Sequence, residues 1–408
     1  MRILHIVHQY PPDHAGGTEH YTQGLAHAQV EAGHAAAVFY PRLNHAGLDV
    51  EECNGVHVYA SGVGTRSRLG VFTSVFGSTK LQADFERVLD EFKPDVLHIQ
   101  HLMGFPLSMV DRAKHGGLRV VMTLHDYWSL CGNAQMLTNY SQTVCDGPRL
   151  WLNCARCAAA RAGQPPLLVG APIIAALFGL RAQLIRRALK QMDALLAPSR
   201  LVGQMAIRAG ADAARVHVLS YGIDKSGVRP RVERSKDEFR VVYIGSIAWQ
   251  KGVHVLVEAF NHVPEPATLA VYGDLTVFPD YGREVQLLAQ SPRIRFEGKL
   301  SRAELWSVLA EADLLAVPSI WYENQPLVIL EAFAAGVPVM VSDLGALREQ
   351  VDEGRTGWRV KAGDVREWAG VLAALATSPR SRIERLQVQV SDVHGDHLPA
   401  VMRAYKGF

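Results

Sequence analysis

The stretch Glu323-Asn324-Gln325-Pro326-Leu327-Val328-Ile329-Leu330-Glu331 lies between two apolar runs, residues 314–318 and 337–341. A strand, a loop, a helix and a second strand follow from that order. Pro326 suits the first turn of a helix and Gly336 its C-terminal cap, so the loop carries free backbone N–H groups toward an anionic ligand. Glu323 falls in the loop and Glu331 in the helix. Eight positions and a bend in the chain keep the two carboxylates off one helical face, so they are read as holding two ends of one extended ligand. A nucleotide sugar has that shape.

Upstream, residues 241–252 read as a strand running into a loop, with Lys251 just ahead of a helix and placed to meet a phosphate. Strands are expected at 240–244, 269–272, 294–297, 314–317 and 339–341, and Ser301 with Glu304 forms a capping-box signature for the helix between the third and fourth. The first half of the chain has a rhythm of its own. A strand at 3–7, the Gly16-Gly17 loop, a helix at 18–32 closed by Gly33 and a strand at 36–40 are followed by strands at 56–60, 96–100, 120–124 and 194–197. Such alternation argues for a parallel sheet with helices on both faces and ligands at the carboxyl ends of the strands, where His125 falls. Between the halves, residues 224–237 are charged and poorly periodic, as a linker would be.

The 408 residues suit two domains, and 48% apolar with 20% charged residues fits an ordinary soluble globular chain. A net charge of +2 gives no general affinity for nucleic acid. The first residues read as a short strand without the apolar region of a secretory signal, which points to the cytoplasm. Five cysteines in a chain this long make no disulfide scaffold.

Cys131, Cys145, Cys154 and Cys157 nevertheless fall within 27 residues, just past His125. Four thiolates at this spacing suit a structural zinc site with no open position for chemistry. The same spacing also suits free thiols, two disulfides or an iron–sulfur cluster. Residues 165–180 carry no charge but are too short, and too interrupted by Gly170, Pro172 and Gly179, to span a bilayer. With Arg181, Arg186, Arg187 and Lys190 directly after them, they suit either peripheral contact with the inner face of an anionic membrane or a buried helix.

Five motifs in this order carry a resemblance: Gly16-Gly17, residues 123–128 (Thr-Leu-His-Asp-Tyr-Trp), Lys251-Gly252, Glu323 to Glu331, and Ser342-Asp343-Leu344-Gly345-Ala346. Together they resemble the large retaining glycosyltransferase family 4, typified by bacterial lipopolysaccharide and exopolysaccharide mannosyl-, glucosyl- and galactosyltransferases. The resemblance implies the GT-B fold, two Rossmann-like α/β domains facing across a cleft. The expected division is an acceptor-side domain at 1–222 with the cysteine insertion, a linker at 223–238, a donor domain at 239–391 and a return helix at 392–408.

By the same resemblance Glu323 contacts hydroxyls of the transferred sugar and Glu331 the nucleotide ribose, roles that suit carboxylates. Lys251 would neutralise the departing pyrophosphate. Gly245 and Ser246 belong to that loop, and Gln325, Leu327 and Val328 would offer backbone amides, Pro326 supplying none. Asn324 and Gln325 would add side-chain bonds. Lys299 and Leu300 would present backbone groups to the base, leaving UDP- and GDP-linked donors both open. Gly16 and Gly17 would lie near the diphosphate or the acceptor, and His125 would emerge to meet the donor sugar at its C6 hydroxyl. His98 and His101 are read as strand-end residues rather than metal ligands. Ser246 stands where the family often has an arginine, so Arg208, Arg348 or a backbone amide must share the phosphate charge. No obligatory catalytic metal is implied. The acceptor would be a saccharide or a lipid-linked saccharide. Front-face transfer is favoured, with double displacement as the alternative mechanism and a catalytically silent sugar-nucleotide-binding module as the alternative function.

Overall fold

The computed structural model describes residues 1–14, 16–164, 170–230, 232, 238–377, 390 and 393–407. Parts of the expected linker (231 and 233–237), of the apolar segment (165–169) and of the final stretches (378–389, 391–392 and 408) lie outside the described residues. The chain forms two compact units, Met1–Gly222 with Asp392–Phe408, and Ile223–Ser391.

The first unit is built on strands β1 Arg2–Ile6, β2 Ala35–Arg42, β3 Leu48–Cys53, β4 Val56–Gly62, β5 Val96–Ile99, β6 Arg119–Thr123, β7 Ala194–Ala197 and β8 Val216–Val218. Among the described residues they form one sheet in the order β3-β4-β2-β1-β5-β6-β7-β8. All pairs are parallel except β3 with β4. That antiparallel hairpin departs from the expected rhythm. Asn54 and Gly55 turn it with positive φ (51° and 78°), the backbone that an Asn-Gly pair favours.

Polar side chains thread the interior of this unit. His5 and His98 face each other in register across β1 and β5. His5 bonds Gln29, Gln29 donates to the Tyr405 hydroxyl, and His98 bonds both Tyr405 and Thr123. Tyr405 belongs to the helix Leu398–Lys406, and Tyr21 meets His397 just before it, so the C-terminal residues close the first unit through hydrogen bonds as well as apolar packing.

The second unit carries β9 Phe239–Ile244, β10 Ala267–Tyr272, β11 Ile294–Gly298, β12 Leu314–Val317, β13 Val339–Ser342 and β14 Gly357–Val360. Their order is β11-β10-β9-β12-β13-β14, all parallel. β14 went unrecognised in the sequence because it is a four-residue edge strand carrying Arg359. The core lies between the sheet and its helices: Val241, Leu269, Leu314 and Met340 pack with Leu256, Phe260, Trp368 and Leu372. The expected capping box is present, with the Ser301 side chain taking the Glu304 N–H and the Glu304 carboxylate taking the Ser301 N–H.

Candidate active site

In the second unit the strand order reverses between β9 and β12, and the loops leaving these two neighbours open onto the crevice where such sheets bind ligands. Lys251 comes from the loop after β9 and Glu323 from the loop after β12. The N–H of Ile320 donates to the carbonyl of Gln250 at 3.0 Å, which ties one loop to the other. Gly252 makes the approach possible. Its φ is +69°, and a Cβ there would lie 2.0 Å from the carbonyl oxygen of Pro318.

Lys251 Nζ stands 2.8 Å from Glu323 Oε1 and 3.1 Å from Oε2. The same Oε1 accepts from Ser319 Oγ at 2.6 Å and from the Trp321 indole at 2.8 Å. Burial pushes the Glu323 carboxyl up, but Lys251 and the Ser319 and Trp321 donors outweigh it and hold it below the usual carboxylate value. Glu323 is therefore a buried, ionised carboxylate of fixed orientation. Lys251 lies over the Trp321 ring, 5.2 Å from its centroid, and keeps part of its ammonium in solvent.

Pro326 is the N-cap of the helix Leu327–Ala334 rather than its first residue. No side chain caps that end, so the first-turn amides at Leu327 and Val328 are turned toward the loop. Gly336 adopts φ +71° beyond the helix, and Val337 N–H reaches the carbonyl of Ala332, the left-handed cap expected there. Gln325 is buried beside Glu323 and Asn324 partly so. Gly245 and Ser246 leave β9, with the Ser246 carbonyl accepting from the Tyr243 hydroxyl at 2.7 Å. Lys299 and Leu300 leave β11, three strand positions from β12. At roughly 4.8 Å per strand β11 and β12 stand about 14 Å apart.

Glu331 is buried on that helix, and the guanidinium of Arg302, more than half exposed, holds its carboxylate in an ion pair. Sequence reading missed Arg302, although the capping box at Ser301 places residue 302 in a first helical turn. It adds a cation to those weighed for the missing family arginine at Ser246. Arg208 lies in the first unit and donates to the carbonyl of Asp146, and Arg348 is clasped in two bonds by Asp343, at 2.6 and 2.9 Å.

In the first unit Gly16 caps the helix Gly17–Glu31 without a side-chain bond. His125 is placed differently from expectation. Its imidazole is 8% exposed, with Nδ1 2.8 Å from the Tyr221 hydroxyl and Nε2 2.8 Å from Gln100 Oε1, so it is turned into the unit. Burial, with His101 nearby, lowers its pKa to about 3. The partners come from residues 25 and 96 positions away, which is why local sequence did not reveal this orientation.

The four clustered cysteines lie in the first unit. Their thiols are free, and burial with the nearby thiols of Cys131, Cys145 and Cys157 pushes Cys154 up to about 12. Among the described residues no group of three or more His, Cys, Asp or Glu side chains is arranged to hold a metal ion. Cys145 Sγ instead takes the Gly147 N–H at 3.4 Å, and Cys154 lies against the Asn153 amide.

The comparisons agree with this architecture. Residues 16–222 match the glycosyl transferase 4-like domain model, and residues 238–378 match glycosyl transferases group 1. A D-inositol 3-phosphate glycosyltransferase of Xylanimonas cellulosilytica is 33% identical over 202 residues, 45% of this chain and 48% of that protein. The chain thus spans about half the length of this relative. Two solved structures share the fold: sucrose-phosphate synthase from Thermosynechococcus elongatus (TM-score 0.71, 18% identity, covering 99% and 94% of the two chains) and Anabaena HepE in complex with UDP and glucose (TM-score 0.69, 17% identity, both chains covered in full). With both units matched and the fold shared with these structures, the chain belongs to the family 4 glycosyltransferases of the GT-B fold.

Proposed function

We propose that this glycosyltransferase moves a hexose, with retention, from a UDP- or GDP-linked sugar to a hydroxyl of a saccharide or lipid-linked saccharide in bacterial surface polysaccharide synthesis. The observation that carries the reading is the Lys251–Glu323 pair at the strand-order reversal of the second unit. Lys251 meets the diphosphate as the glycosidic bond breaks, when charge builds on the leaving oxygen, and Glu323 orients the sugar through its hydroxyls. Glu331 takes the ribose, with Arg302 beside it as a cation for the nucleotide. The first-turn amides at Leu327 and Val328 add donors to the phosphate. Lys251 supplies the charge that a divalent ion supplies elsewhere, so no obligatory catalytic metal is invoked. The Glu323 carboxylate is already engaged by Lys251, Ser319 and Trp321, which favours front-face transfer over its use as a nucleophile.

Release of nucleotide from a panel of UDP- and GDP-sugars by the purified chain, with chelator present, tests the reading. Turnover of one donor is expected. Donor binding without any turnover selects the silent sugar-nucleotide-binding module instead.

A lipid-linked acceptor would place the protein at the inner face of the cytoplasmic membrane. Among the described residues no helix is long and apolar enough to cross a membrane. The helix Ala171–Gln191 exposes Ile173, Leu177 and Leu180, beside exposed Leu150 and Leu152 and a cavity of about 460 Å³. Arg186 and Lys190 are exposed further along, whereas Arg181 is buried beneath Trp128 and Arg187 pairs with Asp111. Exposed aliphatic groups with adjoining cations suit peripheral contact with anionic lipid. Sedimentation with anionic vesicles is the check, and no binding at low salt excludes it.

A further inference from the structure

Residues 124–151, which leave β6, are largely irregular, and the helix Leu152–Arg161 follows them. Four cysteines meet within this segment of the first unit. A turn brings Cys145 back beside Met136, with the Cys145 N–H donating to the Met136 carbonyl at 2.8 Å and Leu137 bridging Val144 antiparallel. Cys131 stands just ahead of that turn, its N–H bonded to the Tyr127 carbonyl at 2.7 Å. Cys154 and Cys157 lie three positions apart on the helix and so share one face. Cys131, Cys145 and Cys157 are all within electrostatic reach of Cys154.

The surroundings of these sulfurs are those that thiolates require. Gly147 N–H, two positions beyond Cys145, donates to its sulfur at 3.4 Å, and Asn153 Nδ2 donates to the same sulfur at 3.8 Å. Such donors stabilise a sulfur that carries charge. The nearby charge is complementary as well. Asp146 is the only acid between residues 131 and 161, and it is exposed and paired with Arg149. Arg156 stands near Cys157, Arg161 near Cys131, and the buried Arg181 near both Cys131 and Cys154. Asp126 also faces Arg181, but its two oxygens are engaged by His101 and the Trp128 N–H. A buried guanidinium is stabilised by a further anion, and a divalent ion held by four thiolates is one.

The backbone gives a third reason. Ala134, Met136, Gln142, Leu150 and Trp151 adopt φ between +48° and +62°, left-handed conformations that cost stability in residues with a side chain. The Leu137–Val144 bridge and the helix are the only regular structure within residues 131–157. A cross-link between turn and helix would hold this backbone in place.

We propose that Cys131, Cys145, Cys154 and Cys157 bind one zinc ion that pins the turn to the helix Leu152–Arg161. The thiols are neighbours without forming a coordination shell, so each sulfur turns inward and gives up its proton as the ion enters. Soft thiolate ligands select zinc over magnesium or manganese. All four positions are filled by protein, which makes the ion structural rather than catalytic. The site lies within the first unit and does not depend on the glycosyl-transfer reading.

The test uses the full chain, purified anaerobically without a histidine tag, with metal measured by elemental analysis. About one zinc ion per chain is expected. It should be retained in Cys53→Ser, whose thiol is exposed on β3, and lost in Cys131→Ser and Cys154→Ser. The unaltered chain supplies a second measurement that does not depend on the variants folding. After treatment with a chelator, cobalt(II) should produce the visible absorption of a tetrahedral thiolate site, and zinc should bleach it. Zinc far below one per chain with no cobalt absorption, zinc retained in folded Cys154→Ser, iron in place of zinc, or these four cysteines joined in disulfides or freely alkylated in the native chain overturns the proposal.

Discussion

Lys251 Nζ lies 2.8 Å from Glu323 Oε1 across 72 positions of sequence, with Lys251 at the end of a single 3-10 turn, Trp249–Lys251, and Glu323 in an irregular loop. Backbone contacts hold them there. The bond from Ile320 N–H to the Gln250 carbonyl, and the contact between Gly252 and Pro318 O, fix the two loops before any ligand arrives. A pre-set cation and a pre-set carboxylate cost no reorganisation when charge develops on the leaving phosphate.

In the proposed reading, removing either charge removes a group aimed at the transition state. Glu323→Gln keeps the shape and should lower kcat on the order of 100-fold, and Lys251→Ala should lower kcat and weaken donor binding together. Steady-state kinetics with the donor identified by nucleotide release are the check. A folded Glu323→Gln, Lys251→Ala double variant with normal kinetics would remove this site from the chemistry.

In the proposed reading Glu323 serves the sugar and Glu331, on the helix Leu327–Ala334, the ribose, so Glu331 should behave unlike Glu323. Glu331→Gln is expected to raise the donor KM about tenfold with little change in kcat, the pattern of a contact made equally in ground and transition states. Arg302→Ala should also raise the donor KM. Equal losses of kcat in Glu323→Gln and Glu331→Gln would contradict this division of roles.

Gly252 tests whether the backbone sets the site. Gly252→Ala places a Cβ against the carbonyl of Pro318 in a left-handed backbone conformation, so the loop after β9 must move. About 2–3 kcal/mol of stability should be lost. Activity should fall more than the remaining folded fraction explains, because Lys251 leaves Glu323. Denaturant melts beside kinetics on the same preparation measure both, and unchanged kinetics in the folded variant would show that the close approach is unnecessary.

Much of this was legible where the signal is local. Apolar runs gave β1, β2, β4 to β7 and β9 to β13, but not the hairpin strand β3 or the short edge strands β8 and β14. Ser301 with Glu304 gave a helix start, and Gly336 a helix end. What escaped depended on partners distant in the chain. His125 is turned inward by Gln100 and Tyr221, and Glu331 is paired by Arg302, a residue on a different helix.

The buried histidines make the first unit acid-sensitive well above the range where carboxylates titrate. Burial lowers His5 and His397 to about 4 and His125 to about 3, and it also depresses His98 and His8. In the unfolded chain each takes up a proton near pH 6.5. Below that pH the unfolded state binds more protons than the folded one, so stability falls as pH drops toward the folded values. At pH 4.5 each fully neutral buried histidine opposes folding by up to about 2–3 kcal/mol, so three such groups rival the total stability of a typical domain. Hydrogen exchange at pH 7 and 4.5, corrected for intrinsic rates, should show protection lost first around β1, β5 and the helix Leu398–Lys406, ahead of the second unit. Equal loss in both units, or unchanged protection in the first, would mean that these imidazoles are accommodated as cations inside the fold.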